Sequence, residues 1–549
     1  MPNYSTISSD SGRSSPDLRA SSSNSDDMAR RRRGRSPKHG GAGGGQATMI
    51  SSVINLLNTI VGAGTLAMPA AMSHMSVGLG TLVILWSGLT SAFGLYLQSR
   101  CSRYLDRGTA SFFALSQISY PNAAVVFDTA IAVKCFGVGV SYLIIIGDLM
   151  PGVVLGFNGE AGAVPFLLDR HFWITAFMLV IIPLAFLRRL DSLKYTSVIA
   201  LVSIGYLIVL VVYHFASDSP AERGDVHLIR WHGPVALLSS LPVVVFAYTC
   251  HQNMFSILNE LKDNSPANVM GVVSSSIGSA ASIYILVAVT GYLTFGSNVV
   301  GNIVSMYPAN FASTVGKAAI VVLVMFSVPL QIHPCRASLD AVLKWRPNKP
   351  LSLSSASLLP GGSSGASVAS SIASAAQATD SHGAPVSPMS DMRFALLTTL
   401  IIVGSYATAL GVSSLDTVLA YVGSTGSTSI SFILPGLFYY KISDPDSSHH
   451  QRLLKEDDDA FESDVSDNDN ETDLNADEAS LLSAGGRVPS IAAASASLSR
   501  RLRLRRKWRW DLEHLSEGLL RKMALALAIY GICVMIVCLS MNIFFEPTH

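Results

Sequence analysis

Apolar positions gather into eleven runs, at about 49 to 72, 77 to 98, 123 to 153, 172 to 188, 195 to 215, 234 to 258, 268 to 295, 313 to 335, 393 to 413, 416 to 440 and 523 to 545. A bilayer core is crossed by about 20 apolar residues at a rise of 1.5 Å each, so runs of this length predict membrane-spanning helices. The expected fold is an all-α polytopic membrane protein of about eleven transmembrane helices. Residues 47–345 would hold spans one to eight, 392–441 spans nine and ten, and 521–549 the last span. Between them, 1–46, 346–391 and 442–520 are poor in bulky apolar residues, and they read as a disordered cytosolic tail, a disordered linker and a cytosolic insertion.

Two of the runs are wrongly patterned for plain anchors. In NLLNTIVGAGTLAMP, Asn55 to Pro69, the middle holds Gly62, Gly64, Thr65 and Pro69. Glycine removes the steric bias toward helix and proline removes a donor, so a break at mid-membrane is expected. An opened backbone survives in lipid only where protein or a polar cavity satisfies it. A ligand in such a cavity is one reading; a close-packing surface of small residues is the other. Five spans later comes FAYTCHQNMFSILNEL, Phe246 to Leu261, with a polar run in its middle and Pro242 upstream. Five is odd, so this span crosses in the opposite sense. Two irregular helices set antiparallel are what a transporter built from inverted repeats requires.

Composition agrees: 49% hydrophobic, 14% charged and a mean hydropathy of +0.41 exclude a soluble enzyme. The net charge of +1 matters less than its distribution. A basic run, Arg30 to Arg33 with Arg35 and Lys38, precedes the first span, and Lys and Arg recur in alternate loops. By the positive-inside rule the N-terminus is cytosolic, and an odd number of spans leaves the C-terminus lumenal. No apolar leader precedes the first span, so no cleaved signal peptide is expected. The six cysteines have no metal-ligand spacing, and neither a metal site nor a disulfide framework is expected. In the acidic insertion Asp477, Leu481 and Leu482 fit a dileucine sorting pattern. Further on, RRLRLRRKWRWDLEHL from Arg500 suits a helix on an anionic leaflet, or a topogenic stop.

Charged residues inside the spans are the remaining chemistry. Lys134 lies a third of the way along the third span, where a charge costs about 2.5 kcal/mol or more on insertion scales. Asp128 and Asp148 are not at helical spacing from it, so a partner must come from another helix. Its ammonium either takes the place of a cation or titrates, coupling transport to a proton gradient, or its stem snorkels toward the cytosolic end. His251 in the second break either relays protons or caps freed backbone. Glu260 and Asp148, near span ends, read as gating or merely interfacial charges.

Together with CFGVGVSYLIIIGDLMP, Cys135 to Pro151, the two irregular segments resemble the amino acid/auxin permease family, most closely its fungal vacuolar amino-acid transporter branch. The resemblance implies a LeuT-like five-plus-five inverted repeat with one extra helix, and substrate at the two breaks. Backbone N–H groups of Gly62, Ala63, Gly64 and Thr65 would meet an α-carboxylate, and carbonyls around Phe246, Tyr248 and Thr249 an α-amino group. Asn58 and Ser327 match positions at which sodium-coupled members hold a cation; an interhelical hydrogen bond explains them equally well. The function implied is secondary active transport of amino acids across the vacuolar membrane by alternating access, coupled to protons or sodium, with no cofactor. A sensor that binds amino acids without carrying them is the alternative. The sequence has no HExxH, GxSxG or carboxylate pair within a span to suggest an enzyme.

Overall fold

The computed structural model describes residues 47–105, 108–187, 196–217, 223–230, 232–344, 389–447, 449–453 and 518–544. The basic N-terminal run, most of the linker, and the insertion with Asp477, Leu481 and Leu482 lie outside the described residues.

Each of the eleven apolar runs coincides with helix. The first is split into α1 (Met49–Ile60) and α2 (Ala63–Ser73); α3 is Val77–Ser102 and a short α4 is Phe112–Ser119. Then follow α5 (Ala124–Phe157), α6 (Arg170–Ala185) and α7 (Thr196–Ala216). The sixth run is split into α8 (Pro234–Ala247) and α9 (His251–Glu260), and α10 (Pro266–Phe295), α11 (Phe311–Lys344) and α12 (Asp391–Gly411) come next. The tenth run comprises α13 (Leu415–Val422), two π-helical segments, Gly423–Ser427 and Ser429–Ile433, and α14 (Leu434–Ile442). The last is α15 (Leu519–Phe544). Among the described residues, eight helical spans, plus the bent pair α1–α2, are long and apolar enough to cross a membrane; α6 and α7 are shorter apolar helices.

The outer faces are apolar, with Leu82, Leu85 and Leu89 of α3 and Leu179 of α6 all largely exposed. A surface of that kind belongs against hydrocarbon. Inside, α5 and α11 pack closely along their lengths, and α10 packs against both α1 and α2.

The two split spans run antiparallel and touch all along. Lys262 N–H donates to Ala47 O at 3.0 Å, and Ala47 N–H to Glu260 O at 2.9 Å. Asn253 Nδ2 donates to Thr59 Oγ1 at 2.9 Å, Gly64 abuts Ala247, and His74 Nδ1 lies 3.0 Å from Ser240 Oγ. As one chain number rises its partner falls. The side on which α1 begins and α9 ends is called the near side below; α2 ends and α8 begins on the far side.

Candidate functional site

The first break spans Val61 and Gly62. Val61 N–H still closes on Leu57 O at 2.8 Å, and the next helix restarts with Thr65 N–H on Gly62 O at 3.0 Å. Across this gap the axis turns by 56°. The second break, Tyr248 to Cys250, opens the ladder inside a span that runs from Pro234 to Glu260 with less bending. Thr249 N–H turns back to Phe246 O at 3.0 Å, and Asn253 N–H restarts the helix on Cys250 O at 3.0 Å. Thr249 Oγ1 donates to Val245 O at 2.9 Å, and Gln98 Nε2 of α3 donates to His251 O at 2.8 Å. Thr249 Oγ1 thus takes over the Val245 carbonyl that the opened ladder would leave unpaired, as a low-dielectric interior requires.

The two breaks meet. A Cβ placed on Gly64 would fall 2.6 Å from Ala247 Cβ and 2.8 Å from its Cα, so only glycine lets the chains approach this closely. Beside the contact lies a cavity of about 440 Å³, within the usual range for small-molecule sites. Gly62, Ala63, Gly64, Phe246 and Thr249 of the expected substrate site line it. So do Asn58, Lys134 and Ser327 of the expected coupling set.

Three expected residues lie elsewhere. Thr65 is fully buried and does not line the cavity. Tyr248 is also fully buried; its ring meets Tyr284 edge-on at 5.1 Å and fills the space facing Gly88 of α3. His251 is turned to α3, where Nε2–H donates to the Ser91 carbonyl at 3.1 Å. A carbonyl can only accept, so that nitrogen carries the hydrogen, and this ring neither lines the cavity nor caps the freed backbone. Two span-end charges are also placed: Asp148 Oδ1 is 3.8 Å from Arg170 Nη2, and Glu260 has an exposed side chain.

The cavity contains more polar chemistry than the expected set. Asn55 and Thr59 of α1, Gln252, Asn253 and Ser256 of α9, and Gln331 and His333 of α11 line it too. Lys134 is buried at its edge without an ion-pair partner among the described residues, and no aspartate or glutamate lines the cavity. Its backbone is packed against Gly426, in the first π-helical segment, where a Cβ would fall 2.8 Å from Lys134 Cβ. Asn58 Oδ1 is buried without a hydrogen bond, while Ser327 donates to Leu323 O at 2.8 Å and keeps its lone pairs.

Tyr284 is the residue that sequence reasoning missed. Its hydroxyl lies 2.7 Å from Ile60 O and 2.8 Å from Ala247 O, the last carbonyls of α1 and α8. Within the apolar run SIYILVAV it carries no local signal that would set it apart.

This geometry has a family behind it. The model for the family described as transmembrane amino acid transporter protein matches residues 45–458. The chain belongs to that family. Among relatives, vacuolar amino acid transporter 5 of Schizosaccharomyces pombe is 43% identical over 416 residues, 74% of this chain and 89% of that protein. Vacuolar amino acid transporter 6 of Saccharomyces cerevisiae is 41% identical over 414 residues, 72% of this chain and 90% of that one. Sodium-coupled neutral amino acid transporter 7 of Homo sapiens is 28% identical over 309 residues, 54% and 65% of the two chains. The match to the transmembrane amino acid transporter family takes in both breaks and all the cavity-lining residues, and ends before α15.

Proposed function

We propose that this transmembrane amino acid transporter carries amino acids across the vacuolar membrane by alternating access around the two breaks. The observation that carries the reading is the polar cavity at which two interrupted, antiparallel spans meet. The N-terminus of α2, at Gly62 to Gly64, offers N–H donors and a positive dipole end for the α-carboxylate. Carbonyls at the end of α8, around Phe246, accept from the α-ammonium. The names of the fungal relatives support a vacuolar placement, and the basic run in the sequence before α1 supports, by the positive-inside rule, an orientation with the N-terminus cytosolic and the C-terminus lumenal.

The driving ion is a proton or sodium. Asn58 and Ser327 supply oxygens to a monovalent cation, and Lys134, on the same cavity, supplies an ammonium that could release its proton. Purified protein in proteoliposomes, given labelled amino acids under imposed proton or sodium gradients, tests both. Accumulation above equilibrium under one of the gradients is expected. Binding without accumulation would remove the carrier reading and leave the sensor.

A further inference from the structure

A helix leaves its last carbonyls without intrahelical donors, and they form the negative end of its dipole. At the paired breaks two such ends, those of α1 and α8, are brought together, and a single hydroxyl stands between them. Tyr284 Oη is 2.7 Å from Ile60 O and 2.8 Å from Ala247 O. A hydroxyl has one hydrogen, so it donates fully to one carbonyl or is shared between both. Tyr284 itself is fully buried, so its hydroxyl has only these protein groups to bond.

The two carbonyls belong to opposite sides of the molecule: α1 is a near-side half and α8 a far-side half. A change of sides in which α1 and α8 move as separate halves shifts these ends against each other. We infer that Tyr284 is a positioning residue for transport, its one hydroxyl clasping the ends of α1 and α8 in the near-side-open state and releasing one of them when the cavity changes sides. In the clasped state α8 is held over Gly64 and the far side stays shut. Release leaves one carbonyl with the hydrogen and returns the other to the substrate cavity, which both Ile60 and Ala247 line. The inference rests on the carrier reading above.

The test is Tyr284→Phe in the full chain, which keeps the ring against Tyr248 and removes only the donor. In proteoliposomes the maximal uptake rate is expected to change by about three- to tenfold, the worth of one hydrogen bond, with KM moving by less than about twofold. Far-side access is read with Ala71→Cys, a buried position lining a small far-side pocket beside His74 and Ser240. Its labelling by a water-soluble thiol reagent, followed at that peptide by mass spectrometry, is expected to rise several-fold when Tyr284→Phe is added. Should Tyr284→Phe not fold, 3,5-difluorotyrosine at position 284 keeps the shape, strengthens the donor and is expected to lower labelling. Parental rate and labelling in these variants would overturn the clasp. So would losses shared equally by rate, KM and thermal stability with labelling unchanged. If the parent itself carries no amino acid the carrier reading falls; if it does and the variants match it, only the clasp falls.

Discussion

The far-side halves α2 and α8 and the near-side halves α1 and α9 come from the same two spans but pack by opposite means. On the far side every residue of α2 from Ala63 to Met72 is buried, and Val243 to Ala247 of α8 are buried against it. Contact there is made largely by small side chains and backbone, Gly64 on Ala247, Pro69 on Gly291 of α10, and Pro242 on Gly423 of the π-helical stretch, with a polar contact, His74 to Ser240, at the outer end. On the near side α1 and α9 are joined by polar bonds, Asn253 to Thr59 and the backbone pair at Ala47, and their Asn, Gln and Ser side chains line the cavity. Among the cavity-lining residues of α1 exposure rises away from the break, from Ile60 at 2% through half-buried Thr59 and Asn58 to an exposed Asn55. A mostly apolar, close-packed seam on one side and a polar cavity on the other is the asymmetry that the carrier reading proposed above requires. The same breaks serve as floor for one side and ceiling for the other.

If the far-side seam is a close-packed gate, adding one methyl should break it. Gly64→Ala places a Cβ on the Ala247 backbone, and overpacking of that kind costs about 1–3 kcal/mol where the backbone cannot yield. Uptake is expected to fall by more than about tenfold, the rate equivalent of 1.4 kcal/mol. Gly278→Ala in α10, where nothing lies within 4 Å, should leave uptake unchanged. Equal uptake in the two variants would show that the seam does not gate.

A second, smaller effect separates the two groups proposed for coupling. Lys134→Ala and Ser327→Ala are compared in vesicles under imposed proton and sodium gradients. The variant that removes the coupling group should lose several-fold stimulation by its gradient, and the other should keep it. Retained stimulation in both would take coupling out of this cavity altogether.

Much of this contrast was legible before any coordinates. Hydropathy located all eleven helical runs because length and apolarity are local properties, and Gly62, Gly64 and Pro69 betrayed the first break in the same way. The odd spacing of the runs anticipated the antiparallel pairing. What escaped was orientation about a helix axis. Tyr248 and His251 sit in the polar run of the second break, yet both side chains face α3, since a break frees the backbone without fixing which face meets the cavity. Tyr284 was invisible because its value comes from two carbonyls distant in sequence. The tenth run read as an ordinary span; its Gly-Ser-Thr content permits the π-helical stretch that brings Gly423 to Pro242 and Gly426 to Lys134.

The smallest expected effect concerns the near-side bond between the halves. Thr59→Val keeps the shape of the side chain and removes the oxygen that accepts from Asn253 Nδ2. Thr59 and Asn253 both line the cavity, so water can replace the lost partner, and the cost should be about 1 kcal/mol or less. That corresponds to a fall of a few degrees at most in Tm, measured on detergent-purified protein by fluorescence. A loss as large as that of Gly64→Ala would mean that α1 and α9 are locked as tightly as α2 and α8. The polar side would then be no freer to move than the dry one, and the asymmetry between them would have no mechanical meaning.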